Sequence, residues 1–405
     1  MSDKKLTILG IVAAIMVVWA VVQSRVSNRA ASGSGKPVYL IQGLNTDDIG
    51  SIIVGTGDDA VILKRNKGRF VLASKDNYPA KTSEINSLIS KCLEIKTQEL
   101  VTDNPANFED LEVTEDKARY VIKFMTPEPN SVVLAGVVVG KSEELGNGTY
   151  VRLLSSDTAL SNKVYTTSSS PWFSTGAMSY LDQDLISVKR EDIDSVMVNS
   201  PSGPYTLKQQ EGSSTIILEN MPAGKKLKSS DAQSVFTALT SLRFDDVKKK
   251  MPDSDLKFDK QYLCRLKDST VYALSIAKKD DKTYVLCSAD FTDTTPVEKA
   301  PLEQGGKVES EEELKKKEAK LLARDEAVKF TEEHQGWVYE IPDWKAKNLT
   351  KPLSDLLENE EKPAVDTEDP NVVAPIVPFD PSAEPMIEDS NTPTTEDPNT
   401  TESTS

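Results

Sequence analysis

Asp47 to Val54 reads DDIGSIIV, and Glu191 to Val198 reads EDIDSVMV. The acidic pair, the serine and the apolar positions fall in register at an offset of 144 residues. Leu63-Lys64 and Leu207-Lys208 repeat at the same offset, and RFVLAS (Arg69 to Ser74) has a counterpart in STIILEN (Ser214 to Asn220). The parallel continues downstream. A helical stripe of Ile85, Leu88, Ile89, Cys92 and Leu93, opened by Thr82-Ser83, is echoed by Val235, Phe236, Leu239 and Leu242 after Ser230. Asp103-Asn104-Pro105 with Leu111 is echoed by Met251-Pro252-Asp253 with Leu256, ARYVIKF by QYLCRLK, and GTYVRLL by KTYVLCS. VYTTSSSPW (Val164 to Trp172) resembles WVYEIPDW (Trp337 to Trp344).

Each copy opens with short β-rich runs separated by turn residues, such as Gly55-Thr56-Gly57-Asp58 and Asn66-Lys67-Gly68, which predicts an antiparallel meander. The pattern predicts an α+β chain with two tandem antiparallel-sheet-plus-helix modules, residues 38–188 and 189–357. Two copies are too few for an open solenoid, so the modules are expected side by side, with a cleft between them. The second is interrupted at about 308–334 by a charged helix in which Glu311, Glu312 and Glu313 each precede a lysine by four residues. Its thin seam, Leu314, Leu321 and Val328, reads as a coiled-coil contact or, preferably, as docking on its own module. Residues 358–405 form an acidic Pro/Thr-rich tail with 13 acidic residues against Lys362, most of the chain's net charge of −16. Such a composition predicts disorder. An apolar island, Val372 to Phe379, reads as spacer or as a docking motif. No basic stripe interleaved with aromatics points to nucleic acid.

At the other end, Leu6 to Val22, LTILGIVAAIMVVWAVV, carries no charge over 17 residues. That is the short end of what crosses a hydrocarbon core of roughly 30 Å as a helix. Gln23 to Val26 offer no small-x-small cleavage site, so residues 1–24 are expected as an uncleaved signal-anchor rather than a removed signal peptide. Residues 25–37, rich in Ser, Gly and Ala, read as a flexible stalk. Lys4 and Lys5 oppose Arg25, Arg29 and Lys36 and leave orientation weakly set. The bulk is placed on the periplasmic side of the cytoplasmic membrane.

No P-loop, G-x-G-x-x-G, G-x-S-x-G, H-E-x-x-H or EF-hand loop occurs. Neither catalytic, cofactor-binding nor metal-ligating residues are assigned. The acidic pairs Asp182/Asp184 and Asp192/Asp194 read as capping and turn residues before metal ligands. Among three cysteines, Cys92 reads as a core residue, and Cys264 and Cys287, on neighbouring predicted strands, are left open to pair. The single histidine, His334, is expected as a solvated helix end. Trp172, Trp337 and Trp344, with Tyr165 and Tyr339, are expected as a repeated core corner rather than a ligand site.

The N-terminal anchor, the twice-used DDI-S-I-V opening, NP-x5-L after the helix, GTYVRL and the late GWVYEIP resemble a bacterial family known as domain of unknown function 4340. The likeness spans most of Tyr39 to Leu357. It implies proteins often encoded beside ABC-transporter subunits, including gliding-motility-type systems, and taken as auxiliary envelope components. It implies no catalytic residues. The expected function is a non-enzymatic, membrane-anchored binding or scaffolding subunit, auxiliary to an ABC-type transporter. The alternative is a carboxylate-dependent hydrolase acting on an envelope polymer in the inter-module cleft, with paired acids about 5–9.5 Å apart. Oligomeric state is left open.

Overall fold

The repeated octapeptide supplies the first strand of the central hairpin in each of two sheets. In a computed structural model describing residues 38–144, 146–251, 255–297 and 310–360, Ser51–Val54 (β1) pairs antiparallel with Val61–Asn66 (β2). Arg69–Leu72 (β3), Tyr78–Pro79 (β4), Leu100–Thr102 (β5), Tyr120–Met125 (β6), Val133–Ser142 (β7), Thr149–Leu154 (β8) and Val164–Thr167 (β9) complete the sheet. Its order is β4-β3-β2-β1-β6-β7-β8-β9-β5. The second sheet uses Ile193–Asn199 (β10), Tyr205–Gln209 (β11), Ile216–Leu218 (β12), Asp246–Lys249 (β13), Lys260–Leu266 (β14), Thr270–Lys279 (β15), Lys282–Phe291 (β16) and Trp337–Ile341 (β17). Its order is β12-β11-β10-β14-β15-β16-β17-β13. Apart from β4, the two orders are the same. Ser51 stands opposite Lys64 and Ser195 opposite Lys208, so the offset of 144 read in the sequence is the register offset of the two hairpins.

Alternation explains the faces. Ile52 and Val54 point inward from β1, Val196 and Val198 from β10, and all four are buried. Over these faces lie Thr82–Leu93 (α1), which buries Ile85, Leu88, Ile89 and Cys92, and Ser229–Phe236 (α2), which buries Ala232, Val235 and Phe236. Lys81, not Thr82 or Ser83, occupies the first cap of α1, and no side chain closes it. One buried apolar cluster runs from Leu40 to Leu356 through both sheets. A second, small cluster on the outer face of the first sheet joins Phe108 and Val113 to Val121, Val138, Leu154 and Val164.

The inserted helix Glu311–His334 (α3) starts with a capping box between Ser310 and Glu313. It docks on its own half, but not through the seam read from the sequence. Ala323 and Ala327 are buried, while Leu314, Leu321 and Val328 stay exposed. The docked face is set by small side chains that let the helix approach β16, where Thr331 hydrogen-bonds both the N–H and the carbonyl of Ala289. At the C-terminal end, Leu357–Asn359 pairs with Lys225–Leu227, so order continues past the expected boundary at 357 to Glu360.

The expected anchor 1–24, the stalk 25–37, the start of the insertion at 308–309 and the tail from 361 lie outside the described residues. Among the described residues no helix is long and apolar enough to cross a membrane.

Candidate functional site

Where the two sheets meet, rings fill the space in which a cleft was expected. Tyr78 at the β4 corner stands edge-on to Trp337 (4.8 Å between centroids) and to Phe244 (5.9 Å). Tyr339, fully buried, contacts Tyr78, Phe244 and His334. Polar contacts flank the rings: the Lys249 N–H donates to Asp76 at 3.0 Å, and Lys75 pairs with Asp246 at 2.6 Å. The joint therefore caps β13, an edge strand whose free N–H groups would otherwise face solvent.

His334 belongs to this joint and is not a solvated helix end. Its ring lies 4.3 Å from Phe330, and Nδ1 is 2.6 Å from the Tyr339 hydroxyl. Burial holds its pKa below the ordinary value of 6.5, against the opposing pull of Glu333. The unfolded chain therefore takes up the proton first as pH falls. Stability is full above about pH 6.5 and declines as pH drops from there toward the lowered folded value. Urea titrations from pH 7.5 to 5 are expected to show that decline in the native protein and a flatter profile in His334→Gln. Equal slopes in both would refute the assignment.

Cys92 is buried in the core as expected, and the pairing left open for Cys264 and Cys287 is excluded by the strand order. Cys264 lies on β14 and Cys287 on β16, with β15 between them. Two strand spacings, roughly 9–10 Å, exceed the reach of a disulfide. Burial raises the Cys264 thiol to about 12 and pushes those of Cys92 and Cys287 up as well. All three thiols are expected to stay silent to a thiol-specific chromophore in the native protein and to react together on denaturation. A native reading of one or more would contradict their placement.

The acidic pairs do surface work: Asp182 pairs with Lys81 at 3.3 Å and Asp184 with Arg243 at 3.1 Å. Asp194 accepts from the Ser195 hydroxyl, and the Asp192 carbonyl accepts from Lys267 N–H. Among the described residues no three His, Cys, Asp or Glu side chains group closely enough to hold a metal. Carboxyls with shifted acidity move downward. Asp231 does so beside Lys351, Asp343 beside Lys347, and Asp293, to about 2, beside Lys320. A general acid needs the opposite shift.

Two tryptophans leave the core corner in which the sequence placed them. Trp172 is 64% exposed and Trp344 62%, because each lies just past the last strand of its sheet rather than on it. Lys91 sits 5.6 Å from the Trp172 ring centre, and Lys345 4.6 Å from that of Trp344. Hollows of about 170 and 330 Å³ flank Trp172.

A concavity without charged side chains lies at the far edge of the first sheet from the joint. A groove of about 280 Å³ opens between Val38–Gln42 and the sheet, floored by Leu134, Ala135 and Leu153 and closed by Leu160 and Tyr165. Val38, Tyr39 and Leu160 remain exposed there. Its lining has no carboxylate, lysine, arginine, histidine or cysteine, so it offers burial and not acid–base chemistry. A larger hollow of about 400 Å³ is ionic: Lys64 there pairs with Glu128, and Arg65 donates to the Thr46 carbonyl. The sequence reading passed over Leu160 and Val38–Gln42.

No curated protein and no solved structure matches the chain. Residues 71–261, which run from β3 across the joint into β14, match the model of the family described as Domain of unknown function (DUF4340).

Proposed function

We propose that the chain is a non-enzymatic, membrane-anchored binding subunit built from two copies of one module. The observation that carries this reading is the position of the apolar groove. One of its walls, Val38–Gln42, follows the apolar segment Leu6–Val22 after 15 intervening residues. Fifteen residues span at most about 50 Å, so an anchor at Leu6–Val22 tethers the groove within that reach of the bilayer surface. An exposed apolar concavity held there suits another membrane-associated protein. Following the family resemblance, we take the assembly that the subunit serves to be an ABC-type transporter, and the bulk to lie on the periplasmic side of the cytoplasmic membrane. The hydrolase alternative has less support: rings occupy the expected cleft, and the shifted carboxyls are held ionised.

The reading is tested in membranes of the source cells. Alkali-resistant membrane association is expected to require residues 1–24, and cross-linking in intact membranes followed by mass spectrometry is expected to recover permease or ATPase subunits. Full function of a freely soluble form, or capture of envelope polymer alone, would overturn it.

A further inference from the structure

The groove has a counterpart in the second half, and there it is filled. Tyr165 on β9 stands opposite Val151 on β8, as Tyr339 on β17 stands opposite Val285 on β16. Val151 in turn faces Val139, and Val285 faces Ile276. On that register Ala135 corresponds to Tyr272, Leu153 to Cys287 and Ser155 to Ala289. A hydroxyl marks the same place in both halves. Ser161 Oγ donates to the Ser155 carbonyl at 2.8 Å and accepts from its N–H at 2.9 Å. Thr331 Oγ1 does the same to Ala289 at 2.7 and 2.8 Å. The one-turn helix Thr158–Ser161 is thus the stub of α3, and Leu160 stands where α3 carries Phe330.

In the second half, Phe330 stands edge-on to Tyr272 at 5.2 Å, and the turns bearing Ala323 and Ala327 lie along β16. In the first half Leu160 and Ala135 replace the ring pair, the preceding helical turns are missing, and the space left over is the groove. Its shape is that of a helix seat without its helix.

We infer that the groove takes a helix, and that this helix is the outer face of α3 from a second copy of the chain. After its inner face has docked, α3 still holds Leu314, Leu321, Leu322 and Val328 in solvent. Leu314, Leu321 and Val328 repeat every seven residues and form a seam about 21 Å long. The seam and the vacant seat are two exposed apolar features of one chain, and a single contact covers both. Bulky aliphatic side chains are what the space above Ala135 lacks. Seat and seam lie on opposite halves of the molecule, so the contact joins unlike surfaces, head to tail. The inference rests on the groove being the binding surface of the proposed function.

Two differently tagged full-length copies, Leu160→Cys and Leu321→Cys, test it after co-expression and mild oxidation in membranes. Both positions are exposed, and the three native cysteines are buried. A disulfide joining the two tags is expected, because it forms only where Cα atoms come within about 7 Å. Adding Val328→Asp to the second copy is expected to lower the yield about tenfold or more, through burial of an unpaired carboxylate. Trp344→Cys in place of Leu321→Cys is expected to give no product. Absence of an inter-tag product, or a yield indifferent to Val328→Asp, overturns the inference. So does pairing of Leu160→Cys with Ala14→Cys in the same chain, which makes the N-terminal segment the occupant. Alkali extraction of the same membranes reads anchoring independently, so failure of the cross-link leaves that part of the proposed function standing.

Discussion

Tyr339→Ala is expected to destabilise the protein by about 3–5 kcal/mol, the range for truncating a large buried ring. The ring is fully buried and touches residues of both halves, Tyr78 from the first and Phe244 and His334 from the second. Removing it opens a cavity that neither half can close alone, and it leaves the half-buried His334 Nδ1 without its 2.6 Å partner. Tyr339→Phe separates the two effects. It keeps the packing and loses only the hydroxyl, for an expected cost of about 1–3 kcal/mol. Urea unfolding followed by circular dichroism measures both. Because one apolar cluster runs through both sheets, each variant is expected to shift a single cooperative transition. Two separated transitions in the native protein, with Tyr339→Ala moving only the later one, would show that the joint does not couple the halves.

The sequence disclosed the repeat and its register because alternation along β1 and β10 is a local property. Ile52 and Val54 must face one way, and a slip of one residue would turn them outward. The stripe on α1 was legible for the same reason: Ile85, Leu88, Ile89 and Cys92 recur at helical spacing and are all buried. What failed was whatever depends on how closely two elements approach. On α3, hydrophobic bulk pointed to Leu314, Leu321 and Val328, yet the docked face carries Ala323, Ala327 and Thr331. Contact with a strand edge rewards small side chains and a hydroxyl more than bulk, and the large aliphatics stay outside. His334 was misread with the helix it ends, since its neighbours Phe330 and Tyr339 come from the helix and from the strand beyond it. Trp172 and Trp344 carry the residue type of a core, but both follow the last strand, where no alternation fixes a side chain's direction. The groove was invisible in either half alone. It is a difference, Ala135 and Leu160 against Tyr272 and Phe330, and it exists only once the two registers are aligned.

Gly140→Val makes the same point about contacts distant in sequence, with a measurable outcome. Gly140 lies on β7 with ordinary strand geometry, and nothing in GVVVG predicts that its position is special. A Cβ there would sit 2.3 Å from the Leu111 carbonyl oxygen and 2.7 Å from a Val113 methyl. The nearest obstacle is backbone, so no rotamer change relieves it. The segment carrying Leu111 and Val113 covers the outer face of the first sheet, where Val113 and Phe108 bury Val121, Val138, Leu154 and Val164. Valine at 140 must therefore lift that cover or bend β7, at an expected cost of about 1–3 kcal/mol. Lifting the cover exposes that small cluster while the main cluster stays intact. Amide exchange is thus expected to quicken in residues 108–113 and along β9, with α1 and the second sheet unchanged. Exchange that quickens equally in both halves would mean that the outer cover is not an independent layer but part of the joint itself.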